Sequence, residues 1–249
     1  MFPLLLLLHP STAPAPVQRL QYHLVNRSSV DIGTGMAPLV LKMSAYVTIT
    51  FTDSAAGRIA DVAIDSSAFD GGVMSGAMPS QLLDDPRGVV LHAFFVNGST
   101  RFATLSAPNM QAMQLIPLVR LIIAGTRSAD AGDSWVDSTT ADTATRATSV
   151  ARMITSWTVR RGLGTAQFTG AITGSMSLGM AATNLELQTT GDGRATARNG
   201  QYPTIATART AGHGKMVVAG NVVAVSVQTE ATATLFWPPS LLASLAQIP

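Results

Sequence analysis

From Leu39 to Thr52 the chain alternates without a break, and this stretch constrains the fold more than any other. Leu39, Leu41, Met43, Ala45, Val47, Ile49 and Phe51 are all apolar, while the residues between them (Val40, Lys42, Ser44, Tyr46, Thr48, Thr50, Thr52) are mostly polar. A period of two over that length marks a β-strand with one face on a core and the other nearer water. At about 3.3 Å per residue it runs roughly 45 Å, well beyond the usual five or six residues. Strands of that length belong to large curved antiparallel sheets, half-barrels or barrels.

The rest of the chain is read against that strand. Arg19–Val25 is a first strand, and Arg58–Asp65 returns from Leu39–Thr52 as a hairpin. Val89–Val96 and Thr100–Leu105 form a second hairpin across Asn97-Gly98, a strong two-residue turn signal. Val150–Arg160, Ala166–Met180, Asn184–Thr189 and Asn221–Leu235 are further strands, and Gly191–Arg209 reads as loop. Gly170 and Gly174 let the strand that carries them bend. The one helix expected is Pro108–Ala124, started by Pro108, stopped by Gly125, kinked at Pro117 and carrying a single charge, Arg120. So apolar a helix belongs against the sheet. The fold class is therefore mainly β (α+β): a large curved antiparallel sheet or half-barrel with one kinked apolar helix in its concavity. Residues 1–16 read as a leader and 17–249 as one domain.

Charged residues make up 12% of the chain, about half the usual share, and the formal net charge is +2. No basic run points to nucleic acid and no acidic tail to a basic partner. Cysteine is absent, which excludes disulfides, thiolate metal sites, cysteine nucleophiles and a lipid-modified N-terminal cysteine. The leader pairs a short apolar run, Leu4–Leu8, with Ala13-Pro14-Ala15, an A-x-A cleavage pattern. It lacks a preceding Lys or Arg, but secretion to the periplasm or the exterior is the expectation. No apolar run reaches the length of about 18 residues that a membrane-spanning helix needs.

A further clue is Gly132-Asp133-Ser134-Trp135, which follows the helix and leads into Thr-rich strands. With the order of elements over about residues 19–236, it resembles uncharacterised extracytoplasmic bacterial β-rich proteins. Their architecture is similar to that of the lipoprotein-carrier half-barrels, in which a bent sheet wraps helices and leaves a greasy groove. The resemblance implies apolar-ligand binding in the periplasm and carries no functional residues with it.

Catalytic chemistry finds little support. Outside the leader there are three histidines, His23, His92 and His213. His92 lies among Val89, Val90, Leu91, Phe94 and Phe95 and reads as a hydrogen-bonded core residue, with a buried base as the sharper alternative. His213 sits between two glycines and reads as a turn residue, and His23 as solvent-facing. No pair has zinc-ligand spacing. Gly72–Gly76 and Gly174–Gly179 echo a nucleophile elbow without matching it, and the Gly-rich loops lack the phosphate-binding pattern. Asp130, Asp133, Asp137 and Asp142 offer oxygen donors for calcium, but not in calcium-loop order, and an Asp/Ser-rich turn explains them. No metal and no cofactor is expected.

Methionine is the compositional hint of binding, with eleven in the chain. Flexible thioethers line adaptable apolar cavities, although they also fill cores. The expected function is a non-enzymatic extracytoplasmic binding protein holding an apolar small molecule or lipid between sheet and helix. Its groove is assigned to Met43, Met110, Met113, Leu118, Leu121, Met153, Met176 and Met180. The alternatives are a structural or interaction module of the cell envelope, and a secreted hydrolase built on His92 or His213. A membrane β-barrel is disfavoured because aromatics are only 6%, too few for two interfacial girdles.

Overall fold

The structure is a computed structural model. It describes residues 18–33, 35, 37–54, 57–71, 87–88, 90–96, 99–104, 115, 118–119, 121–123, 134–145, 147–180, 183–198, 202–218 and 220–237. The strands in chain order are β1 (Gln18–Asp31), β2 (Leu39–Ser54), β3 (Gly57–Asp70), β4 (Val90–Val96), β5 (Ser99–Thr104) and β6 (Ser134–Thr145). They continue with β7 (Ala147–Gly162), β8 (Thr165–Met180), β9 (Thr183–Arg198), β10 (Pro203–Val218) and β11 (Asn221–Trp237). All belong to one antiparallel sheet in the order β5-β4-β3-β2-β1-β11-β10-β9-β8-β7-β6. Each strand therefore lies beside its neighbours in sequence, and β1 joins the two halves by pairing with β11. The sheet curls into a half-barrel, and its edge strands β5 and β6 come back to within 8 Å, Cα to Cα.

An odd number of strands has a geometric consequence. Every step in the ladder order reverses direction, and β5 and β6 lie four and six steps from β1. They therefore run parallel. A parallel pair cannot be joined by a tight turn, because the chain must travel back along the strand length first. The connection between them, residues 105–133, has to make that journey. Its described residues lie inside the curl: Leu115, Leu118, Val119, Leu121, Ile122 and Ile123 are helical, at most 1% exposed, and part of the core.

The expected kinked helix over Pro108–Ala124 is corrected here. The described residues of that span, Leu115, Leu118, Val119 and Leu121–Ile123, are all helical, but the longest continuous run among them is the three residues Leu121–Ile123, and the rest of the span lies outside the described residues. The sequence supplies a reason against a long helix: Pro117 has no amide N–H to donate to the preceding turn. Among the described residues no helix is long and apolar enough to cross a membrane.

The core explains the curl. Inward positions on β1–β3 carry large side chains: Leu20, Tyr22, Leu24, Met43, Val47, Ile49, Phe51, Val62 and Ile64, all almost fully buried. Many inward positions on β8–β11 are small, with Phe168, Ile172, Leu187 and Val225 among the larger ones. Following the register, one inward row reads Trp157, Gly170, Gly193, Ala208, Ala231, Asn26, Met43. The next reads Val159, Phe168, Ala195, Ala206, Ala233, Leu24, Ala45. Glycine and alanine on one wall leave room for what the other wall and the helical residues fill. A Cβ on Gly193 would stand 2.6 Å from Leu121 Cδ2, so the helical residues lie directly on that glycine. A Cβ on Gly170 would stand 2.8 Å from the Trp157 ring. At the turn from β7 to β8, Gly164 takes a φ of 76°, which L-residues with a Cβ rarely adopt.

Candidate functional site

The apolar concavity is built from the inward faces of the strands, and it gathers part of the expected groove. Met43, Leu118 and Leu121 are brought together in the core cluster. Met153 lies half-buried on β7. Met176 and Met180 fall on β8, but their side chains lie outside the described residues, as do Met110 and Met113 altogether. Some polar atoms of this interior hydrogen-bond within it. Tyr22 Oη donates to the Pro203 carbonyl at 2.9 Å, and Ser28 Oγ donates to Asn26 Oδ1 at 3.3 Å. Phe51 stacks on Tyr202 with ring centroids 5.3 Å apart.

Burial, and then the neighbouring Tyr202, pushes the Tyr22 phenol far above its ordinary range. A group that holds its proton more tightly folded than unfolded contributes stability below its unfolded pKa and loses it above. Stability is therefore expected to fall as pH rises past about 10, the ordinary tyrosine value. Tyr22→Phe removes the donor and leaves a buried carbonyl without it, a loss of about 1–3 kcal/mol in urea unfolding. The same substitution should flatten the alkaline limb of the stability profile.

The outer face has a different character. One outward row reads Asp70, Lys42, Arg27, Glu230, Arg209, Asp192 across six strands. Arg209 Nε lies 3.4 Å from Glu230 Oε1, and Lys215 Nζ lies 3.2 Å from Glu186 Oε2. A shallow depression of about 320 Å³ is lined by Asp192, Arg194, Thr207, Arg209, Glu230 and Thr232. These charges are well exposed, so each pair contributes about 0–1 kcal/mol and is screened by salt. A lipid-facing barrel wall is apolar; this one is charged and Thr-rich. Beside the charged row, His23 stacks on Tyr46 at 4.7 Å and Tyr46 meets Phe236 edge-on at 5.4 Å.

Of the histidines, His92 is not a core residue. It projects from the outer face of β4, half-buried, and its Nδ1 meets Asp61 Oδ1 directly across on β3. Sequence reasoning missed Asp61, whose only signal was its place at a polar position of an alternating strand. His213 stands exposed on β10, opposite Gln188 and Ser226. It is not brought to His92. His23 Nε2 bonds Ser44 Oγ at 2.8 Å on the outer face. Of the aspartates weighed for calcium, Asp137 and Asp142 fall on β6 rather than in a turn, and Asp130 and Asp133 lie outside the described residues. Among the described residues no group of three or more His, Asp or Glu is placed to hold a metal ion.

No family model and no curated protein matches the chain. Among solved structures, the crystal structure of the outer membrane protein opdK from Pseudomonas aeruginosa aligns over 88% of this chain and 99% of its own. The identity is 6% and the TM-score 0.23, and nothing follows from it for fold or function.

Proposed function

We propose that this protein is a non-enzymatic, extracytoplasmic binding protein that holds an apolar, lipid-like molecule in the concavity of its curled sheet. The observation that carries the reading is the contrast between the two faces. Among the described residues the concave face is mostly apolar, and the convex face is charged and threonine-rich. A strongly curved sheet with a separate apolar element inside it has the form of a container, whereas a flat sheet under a helix leaves no room. The helical residues occupy the place a ligand shares or takes over, resting on a wall of glycine and alanine. Met43, Leu118 and Leu121, which belong to the buried cluster, form the proposed lining together with Met153, Met110, Met113, Met176 and Met180. Leu4–Leu8 and Ala13-Pro14-Ala15 support a periplasmic or extracellular location.

Titration of the full chain, purified without detergent, with a fluorescent long-chain fatty acid tests the reading. Saturable binding at one probe per chain is the expected result. A flat titration removes it. In that event the interaction-module reading gains, and one observation already favours it: Leu118, Val119 and Ile122 are at 0% exposure, as a solidly filled interior requires.

A further inference from the structure

We infer that the β4–β5 hairpin is a flap, and that the parallel seam between β5 and β6 is the portal through which an apolar ligand reaches the concavity. The inference rests on the binding reading above. Three observations carry it.

The first is where the ladder order ends. β5 and β6 lie side by side, but the order of hydrogen-bonded strands stops at each of them, and no ladder joins the two among the described residues. Opening the curl anywhere else breaks an antiparallel ladder. The second is the length of those ladders. β3 with β4 and β4 with β5 share six register pairs each, whereas every other neighbouring pair shares eleven to sixteen. Local opening follows the regions with fewest backbone bonds and contacts. The hairpin is thus the part of the sheet with the shortest ladders, hinged on β3 and packed beside β6 without a ladder among the described residues.

The third observation is what holds it. The His92–Asp61 pair bridges β3 and β4 on the outer face, within the short ladder. One bond from the Gly88 N–H to the Ile64 carbonyl, 3.1 Å, extends the same junction. A side-chain staple at the hinge sets how readily the flap opens without touching the apolar interior. The helical residues belong to the connection that leaves β5, so the opening strand and the element filling the concavity are joined by residues 105–114.

The chain has no cysteine, which makes a crosslinking test clean. A panel of double variants places one cysteine on β5 (Ser99→Cys or Arg101→Cys) and one on β6 (Ser134→Cys, Val136→Cys or Ser138→Cys). Thr207→Cys with Thr232→Cys, a register pair of β10 and β11, is the control. Uptake of the fluorescent fatty acid is timed before and after oxidation. Locking the seam should slow uptake by about tenfold or more, reversibly with reductant, and locking the control pair should leave it unchanged. Equal rates for locked and reduced seam variants overturn the portal, and so does a panel in which no seam pair crosslinks.

If the reduced proteins take up no fatty acid, the binding reading has failed, and hydrogen exchange then decides the flap by itself. Amides of β4 and β5 should exchange faster than those of β10 and β11, and Asp61→Asn or His92→Gln should quicken β4 and β5 alone. Uniform protection across the sheet overturns the flap.

Discussion

Leu121→Ala is expected to cost about 2–5 kcal/mol, and Gly193→Ala about 1–3 kcal/mol, while the double variant costs less than the two together. The reasoning starts from one contact. Leu121 is 1% exposed, and its Cδ2 lies where a Cβ on Gly193 would come within 2.6 Å. Truncating the leucine leaves a cavity in the core. Adding a methyl at 193 pushes the leucine off its wall. Made together, the methyl enters the space the leucine vacates, so the coupling should be about 0.5–3 kcal/mol. Urea unfolding of the four proteins reads it directly from shifts in midpoint at constant m. Strict additivity would mean that the helical residues do not rest on β9, and the container would lose its occupant.

The second large effect is at Gly214. A Cβ there would stand 1.8 Å from the Glu186 carbonyl oxygen, and one at Gly191 would stand 2.2 Å from the Arg209 carbonyl oxygen. Both obstacles are backbone atoms of adjacent strands, so neither can turn aside as a side chain does. Gly214→Ala and Gly191→Ala should each cost about 3 kcal/mol or more, at the upper end of overpacking penalties. Gly212→Ala is the built-in control. Its Cβ meets nothing closer than Thr189 Oγ1 at 3.4 Å, so it should be neutral or gain about 0.4–1 kcal/mol from a less flexible unfolded chain. Thermal melts that rank all three glycines alike would show that β9 and β10 do not approach as closely as the curl requires.

Those same glycines explain what sequence reasoning could and could not recover. Where inward residues are large, the alternation is loud: Leu39–Thr52 is read correctly from Leu39, and its hairpin with the next strand follows. Where inward residues are Gly, Ala or Thr, the alternation falls silent. Gly191–Arg209 reads as loop, but Gly191, Gly193, Ala195 and Ala197 are the inward face of β9, and Ala206, Ala208 and Gly212 that of β10. The small residues are there because Leu121 and Trp157 lie over the wall they form, a tertiary cause with no local trace. β6 was hidden for another reason: Ser134–Thr145 is dominated by Ser, Thr, Asp and Ala, a composition that turns share. The short strand read at Arg19–Val25 continues to Asp31, because both of its neighbours pair with it along the added length.

At the candidate site the limits were similar. The inward place of Met43 followed from its strand, and the buried character of Leu118 and Leu121 from the apolar run around them. Asp61 beside His92 was not legible, since the two are 31 residues apart and only the register of β3 on β4 joins them. The parallel seam was equally hidden. It depends on which strands end the ladder order, and β6, one of those two, was not read as a strand.

The central claim is that the curled sheet encloses an apolar ligand, and native mass spectrometry of the full chain tests it most directly. The protein is purified without detergent, incubated with lipid vesicles, separated from them and sprayed intact. The account predicts a second species heavier than the bare chain by one lipid-sized molecule. A spectrum that holds the bare chain alone, from protein shown by its cooperative unfolding to be folded, would contradict it.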